Sequence, residues 1–385
     1  MTDEAPYLLD VTRLIWRRWK GRLPTGIDRV CLAYLRHFGG RAQAIVQHRY
    51  FRRILDRDAS RELFALLEEP SDQFRAKLPL GSLRHLSGLN AGGNGRLYLN
   101  IGHTGLNLPG FRTWAKRTAV RPIYLVHDLI PITHPQFCRA GEADRHRERI
   151  RTVLDTAAGV IANSKATLDE LAAFAEHEAL PMPLAQTAWL GGDPVPGPRQ
   201  IITPSRPTFV VIGTIEGRKN HQMLLRIWSR LVDRFGSAAP RLLIVGQRGW
   251  EAEPVFEILD RSEKLHGHIV ELRRCPDEEL AEHLASSRAL LFPSLAEGYG
   301  LPIIEALGLG VPVIASDLPV FHEIGGDIPT LLDPLDEAGW EEAILEYSKP
   351  DSSARSAQME RMKGYHAPTW ESHFAQVEHW LASLG

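Results

Sequence analysis

The feature that most constrains this chain is a twice-repeated alternation of short apolar runs with longer helical patterns, interrupted once by a proline-rich break. In the first half, Tyr7 to Val11, Leu97 to Ile101, Ile123 to Val126 and Val160 to Ala162 read as buried strands. In the second, Thr208 to Ile212, Leu242 to Val245, Ile269 to Leu272, Ala289 to Phe292 and Val313 to Ala315 do the same. Strands of a parallel sheet are buried on both faces, so they read as continuous apolar runs separated by helices. The break, GGDPVPGPRQIITPSRP from Gly191 to Pro207, carries prolines at 194, 196, 198, 204 and 207, which fit neither a helix interior nor a central strand.

This pattern predicts an α/β protein of two Rossmann-like, doubly wound domains, 1–195 and 208–366, joined by a linker at 196–207. Past His366, TWESHFAQVEHWLASL places Trp370, Phe374, Val377 and Leu381 near helical spacing, so 367–385 reads as a closing helix that crosses back to the N-terminal domain. Ligands of such sheets belong at the carboxyl ends of the strands.

Composition narrows the partners. A chain of 385 residues, 44% apolar and 24% charged, is long and apolar enough for two packed domains. A net charge of -2 gives no reason to expect nucleic acid. The three cysteines, Cys31, Cys138 and Cys275, show no CxxC spacing and indicate neither a disulfide framework nor a zinc site. Met1 is followed by Thr2, Asp3 and Glu4 rather than a cationic and apolar leader, and no apolar run is long enough to span a bilayer. The expectation is a cytoplasmic protein. RLIWRRWKGR, with Arg13, Arg17, Arg18, Lys20 and Arg22 around Trp16 and Trp19, has the chemistry of a segment that rests on an anionic membrane surface; the alternative is a solvated loop with two packed tryptophans.

The chemistry concentrates between Leu290 and Gly326, LLFPSLAEGYGLPIIEALGLGVPVIASDLPVFHEIGG. A strand ends in a loop carrying Glu297, and Pro302 suits the first turn of a helix containing Glu305. Gly298 and Gly300, flanking Tyr299 before Leu301, allow successive backbone N–H groups to approach an anion at the helix start. Glu305 is placed to accept hydrogen bonds from vicinal ribose hydroxyls and Glu297 to face a donor sugar. Upstream, VVIGTIEGRKNHQMLLRIWSRLVDRF carries a strand, a turn at Gly213, and Arg218 and Lys219 at the start of an amphipathic helix with Leu224, Trp228, Leu231 and Phe235 on its core face. Two cations at a helix start oppose its dipole, which a bound diphosphate would reconcile.

The ordered set GTIEGRKN, LIVGQRGW and PDEELAEHLASSRALLFPSLAEGYGLPIIEALGLGVPVIAS resembles the retaining GT-B glycosyltransferases of family 4, in their mannosyltransferase-like branch. The resemblance implies that Arg218 and Lys219 contact the donor diphosphate, that Glu305 holds the ribose, that Glu297 with the amides from Gly298 through Tyr299 and Gly300 to Leu301 holds sugar and phosphate, and that the region of Arg273 and Arg274 meets the base. One departure is Thr214, where many members carry Arg; members with a GT-x-E-x-RKN run share it, and Arg218 is expected to take over that role.

In the N-terminal half, IYLVHDLIPITHP sets His127 directly after a strand. The resemblance puts this histidine near the transferred sugar, and it puts Gly26 of TGIDRVCLAYLRHF in the first loop, near acceptor and donor phosphate. A packed core histidine is the bland alternative. The resemblance further implies retention of configuration without a metal or other cofactor. The implied donor is a nucleotide sugar, with GDP-mannose favoured, and the acceptor a saccharide or lipid-linked saccharide. A nucleotide-sugar epimerase and a non-catalytic nucleotide-sugar-binding subunit fit the same architecture. A metal site of His127, Asp128 and His134 matches no standard spacing, and Asp56-Arg57-Asp58 has the DxD form of metal-dependent transferases but lies in the charged segment RRILDRDASRELF, read as helical.

Overall fold

A computed structural model describes residues 5–21, 24–48, 51–69, 74, 92–192 and 204–384. Much of the expected linker, 196–207, and Arg22 of the basic segment lie outside the described residues. The chain divides into two compact units, one of Met1–Leu129, Asp144–Leu190 and Trp370–Gly385, the other of Ile130–Ala143 and Gly191–Thr369.

The first unit is built on β1 (Tyr7–Asp10), β2 (Ala42–His48), β3 (Phe51–Ile54), β4 (Leu97–Asn100), β5 (Arg121–Val126), β6 (Gly159–Ala162) and β7 (Ala185–Thr187). Among the described residues the order is β3-β2-β1-β4-β5-β6-β7, parallel except for the β2–β3 pair. The segment read as helical at RRIL is therefore partly β3, an edge strand; the helix Arg57–Glu68 follows. Asp56 caps that helix by accepting from the Ala59 N–H at 2.8 Å, and Asp58 pairs with Arg61 one turn on, which accounts for the DxD-like run without a metal.

The final helix, Trp370–Ser383, belongs to this first unit. Phe374, Val377 and Leu381 are buried, and Phe374 stacks on His37 at 3.9 Å between centroids. His373 donates through Nδ1 to the Trp189 carbonyl at 3.0 Å and receives the Tyr34 hydroxyl on Nε2 at 2.9 Å. Burial holds this imidazole neutral, its pKa lowered to about 4.

The second unit carries β8 (Thr208–Ile212), β9 (Arg241–Val245), β10 (Ile269–Leu272), β11 (Ala289–Phe292), β12 (Val313–Ser316) and β13 (Thr330–Leu332). Their order is β10-β9-β8-β11-β12-β13, all parallel. The chain winds outward from β8 to β10 and then returns to place β11 on the other side of β8. The crevice between their carboxyl ends is thus the topological switch point. The helix His221–Phe235 packs Leu224, Trp228 and Leu231 into the core. Phe235 departs from the expected core face: it is 38% exposed as the last helical residue, and the Arg234 guanidinium covers its ring at 4.9 Å.

Candidate functional site

Two loops leave the switch point, 213–220 after β8 and 293–300 after β11. Gly213 adopts φ +137°, and a side-chain carbon there would press against Lys219 Cε at 3.4 Å. The chain then forms a tight turn at Gly217–Lys219, and Asn220 takes the left-handed conformation with its side chain donating to the Pro334 carbonyl at 3.0 Å. The helix starts only at His221, so Arg218 and Lys219 precede it rather than occupy its first turn. The loops are tied together by the Leu295 N–H donating to the Arg218 carbonyl at 2.7 Å.

The side chains of this turn meet Glu297. Lys219 Nζ pairs with Glu297 Oε1 and lies 4.4 Å from the centroid of the Phe292 ring. Arg218 bridges two acids: Nη1 to Glu297 Oε2 at 2.8 Å and Nη2 to Glu216 Oε1 at 2.7 Å, with Nη1 also donating to the Ala296 carbonyl at 3.0 Å. Glu216, Arg218, Glu297 and Lys219 therefore form one chain of alternating charge, shielded from water along most of its length. Burial alone would raise the Glu297 pKa, but Arg218 and Lys219 overcome it and hold the carboxyl at about 2. Lys219 is shifted down by desolvation, partly offset by Glu297. The cations expected to meet an anionic ligand are thus paired with the protein's own carboxylates.

Gly300 takes φ +124°, where a side chain would also crowd Phe321 at 3.1 Å, and the helix Leu301–Gly308 begins directly after it with Pro302 in its first turn. Tyr299 and Leu301 are buried, and Glu305, one turn into the helix, is only 5% exposed. Thr214 is half-buried in the β8 loop, while Arg274 is exposed in the segment after β10. The structure therefore brings Arg218, Lys219 and Glu297 into direct contact, with Gly298, Tyr299, Gly300, Leu301 and Glu305 following in the same strand-to-helix connection.

The remaining candidates belong to the first unit. His127 follows β5, is buried, and donates from Nε2 to the Ile101 carbonyl at 2.7 Å; burial lowers its pKa to about 4. His103, half-buried, links it to the buried His146: its ring lies 5.5 Å from that of His127 and 5.9 Å from that of His146, and it donates to the Leu125 carbonyl at 2.8 Å. Gly26 opens the helix Gly26–Phe38, whose start is fixed by Asp28. That buried carboxylate accepts from the Thr25 N–H at 2.7 Å, from Arg13 Nε at 2.6 Å and from Arg17 Nε at 2.7 Å. Arg18 donates to the Leu67 carbonyl at 3.0 Å. Much of the basic character expected to face a membrane is consequently spent inside the unit, leaving Trp16 and Trp19, 43% and 39% exposed, with Lys20 over the Trp16 ring.

Among the described residues, candidate metal-ligand atoms come within 4.8 Å of one another at Cys275, Glu279 and His283, not at His127, Asp128 and His134. Desolvation and the neighbouring Glu279 and Asp277 push the Cys275 thiol up to about 11, and Glu279 is largely in solvent. Sequence reasoning passed over Glu216 and Asp28, each visible as an acid within a motif but given its role by cations that only the fold delivers. It also missed Asp10, buried at the end of β1, which accepts from Tyr98 at 2.7 Å and from Gln47.

The second unit, a parallel sheet whose switch point holds a glycine-bearing helix start beside buried acids and bases, has a Rossmann-like architecture, and the chain with its two mainly parallel sheets shares the GT-B fold of its solved structural neighbours. Residues 206–349, within the second unit, match the family described as Glycosyl transferases group 1. The serotype-specific mannosyltransferase WbdA of Escherichia coli is 33% identical over 228 residues, covering 52% of this chain and 26% of WbdA. The O-antigen chain mannosyltransferase B of Escherichia coli is 37% identical over 141 residues, covering 37% of this chain and 36% of that protein. The matched region thus spans about a quarter to a third of these relatives' length. In solved structures, sucrose-phosphate synthase from Thermosynechococcus elongatus superposes over 99% of both chains with a TM-score of 0.63 at 16% identity. HepE from Anabaena, solved with UDP and glucose, covers 99% of this chain and 100% of its own with a TM-score of 0.65 at 14% identity.

Proposed function

We propose that this chain is a retaining hexosyltransferase that takes a sugar from a nucleotide diphosphate bound at the β8–β11 crevice and delivers it to a saccharide or lipid-linked saccharide acceptor in cell-surface polysaccharide synthesis. The observation that carries the reading is the buried Glu216–Arg218–Glu297–Lys219 chain at the switch point of a glycosyl transferases group 1 domain. The mannosyltransferases among the relatives favour mannose, and GDP-mannose is the proposed donor.

Cleaving the glycosyl phosphate bond builds positive charge on the sugar and negative charge on the departing diphosphate. Arg218, Lys219 and the backbone amides from Gly298 to Leu301 supply fixed positive ends for the second of these, a contribution of several kcal/mol where water is excluded. These groups perform that task without a metal ion. Glu305 takes the ribose hydroxyls, Glu297 sets Lys219 and faces the sugar, and Arg274 lies on the side of the base. His127, neutral at physiological pH, is assigned to the sugar as a hydrogen-bonding group rather than as a cation. The acceptor hydroxyl attacks on the face the nucleotide leaves, so no enzyme nucleophile is invoked. Contact with a bilayer, where it occurs, falls to Trp16, Trp19 and Lys20.

A thermal-shift screen of GDP-mannose, UDP-glucose and dTDP-glucose tests the donor. GDP-mannose is expected to raise Tm most, and indifference to all three would contradict the donor site. An acceptor-dependent glycoside product separates a transferase from an epimerase or a non-catalytic binding subunit.

A further inference from the structure

Glu216 is not used by the chemistry above, yet it is 4% exposed and pairs directly with Arg218, one of the proposed diphosphate cations. Its two oxygens are treated unequally. Oε1 pairs with Arg218 Nη2 at 2.7 Å, whereas Oε2 is shut away from solvent without a hydrogen-bond partner. Glu297, by contrast, has a cation on each oxygen, Lys219 on Oε1 and Arg218 on Oε2.

The cluster as it stands contains two carboxylates and two cations and so has no net charge. A nucleotide sugar adds two negative charges on its diphosphate and draws on the same Arg218 and Lys219. When Arg218 turns to the phosphate, Glu216 loses the cation paired with it, and Lys219 is drawn to the same phosphate, which leaves a buried, poorly compensated carboxylate beside new negative charge. Such a group neutralises itself by taking a proton. The charged neighbours of Glu216 divide by sign: Arg218 and Lys219 favour its ionised form, and Glu297 opposes it. Arg218 and Lys219 come from its own turn, and Glu297 from the loop after β11 is repulsive. Arg248, next to Gly249 in the loop that backs onto Glu216, is committed to Asp260 and Glu271 at 2.5 and 2.8 Å. Burial already raises the affinity of Glu216 for a proton.

We infer that Glu216 is a positioning residue that holds Arg218 through Oε1 and takes up a proton from solvent on Oε2 when the donor diphosphate claims that arginine. The inference rests on the donor-site reading above. Donor binding is then linked to pH in a defined direction: proton uptake makes affinity rise as pH falls, by up to about tenfold per unit.

The test is isothermal titration of the wild-type chain with GDP-mannose, UDP-glucose and dTDP-glucose at pH 7.5, in two buffers of different ionisation enthalpy. The diphosphate of a nucleotide sugar is a diester with no group titrating near neutrality, so buffer-dependent heat reports protons taken up by the protein. The expected result is uptake approaching one proton for the sugar nucleotide that binds, and none for Glu216→Gln, which still binds. Binding without uptake in the wild type, or equal uptake in Glu216→Gln, overturns the role of Glu216 while leaving the donor site intact. Binding of none of the three overturns the donor-site reading itself. Should Glu216→Gln fail to fold, the infrared difference spectrum of the wild type decides: a protonated carboxyl band must appear on donor binding, and its absence overturns the inference.

Discussion

Lys219 and Glu297 are 78 residues apart in sequence and form a buried ion pair across adjacent strand ends, with the ammonium resting over the Phe292 ring. Neither partner is stable there alone: removing one leaves a desolvated charge, at a cost typically of about 3–5 kcal/mol. On the donor-site proposal, an incoming phosphate competes with Glu297 for this lysine.

Replacing Lys219 with Ala or Glu305 with Ala is expected to reduce transfer by about a hundredfold or more, since each loses a charge-assisted contact to the donor in a water-poor site. Steady-state rates with saturating acceptor measure this, and chelator added to the wild type is expected to leave the rate unchanged. Wild-type rates in either variant would contradict the assignment.

Arg218→Lys is expected to be far from neutral. The guanidinium spans Glu216 and Glu297 at once, a geometry a point ammonium cannot reproduce. Loss of one charged hydrogen bond corresponds to about 1.5–3 kcal/mol, or roughly ten- to a hundredfold in kcat/KM. Parity with the wild type would mean that only the charge matters.

His221 makes a different kind of prediction. Both ring nitrogens are buried without a hydrogen-bond partner at the first residue of the helix His221–Phe235, and burial with Lys219 nearby lowers its pKa to about 3. The unfolded histidine takes a proton near its ordinary value and the folded one does not. Its contribution to stability therefore falls as pH drops through the window from 6.5 towards about 3. His221→Leu removes that linkage, so the variant should gain on the wild type by up to about 1.4 kcal/mol per pH unit below 6.5. Urea unfolding of both proteins at pH 7 and pH 5 measures the gap, and a gap that does not widen would contradict it.

Asp28→Ala should lower stability by about 2–4 kcal/mol, because it removes the carboxylate shared by Arg13 and Arg17 and the partner of the Thr25 N–H. Trp16→Ala should cost much less, given its exposure, and should weaken any association with anionic vesicles more than it weakens the fold. Thermal melts and vesicle cosedimentation distinguish the two effects.

The second sheet was largely legible because its strands are short, mostly apolar runs: β8, β10 and β11 coincide with the expected spans, even with Glu271 inside β10. In the first sheet β2 was hidden by Gln43 and Gln47, which look solvent-facing but are buried and satisfied, Gln43 by the Leu55 carbonyl at 2.8 Å and Gln47 by Asp10 and Tyr98. β7 and β13, at three residues each, are too short to show a pattern. The cationic turn and the Glu297 loop were legible as motifs. Their mutual neutralisation was not, because it depends on β8 and β11 being neighbours, a fact of topology that no local window contains.

The central claim is that one donor site lies at the β8–β11 crevice and is built by Lys219, Glu297, Arg218 and Glu305. Its most direct measurement is the binding isotherm of GDP-mannose to the wild type, Lys219→Ala and Glu305→Ala at a common pH. The account predicts saturable binding by the wild type that weakens at least about tenfold in each variant. Equal affinity for all three folded proteins would contradict it.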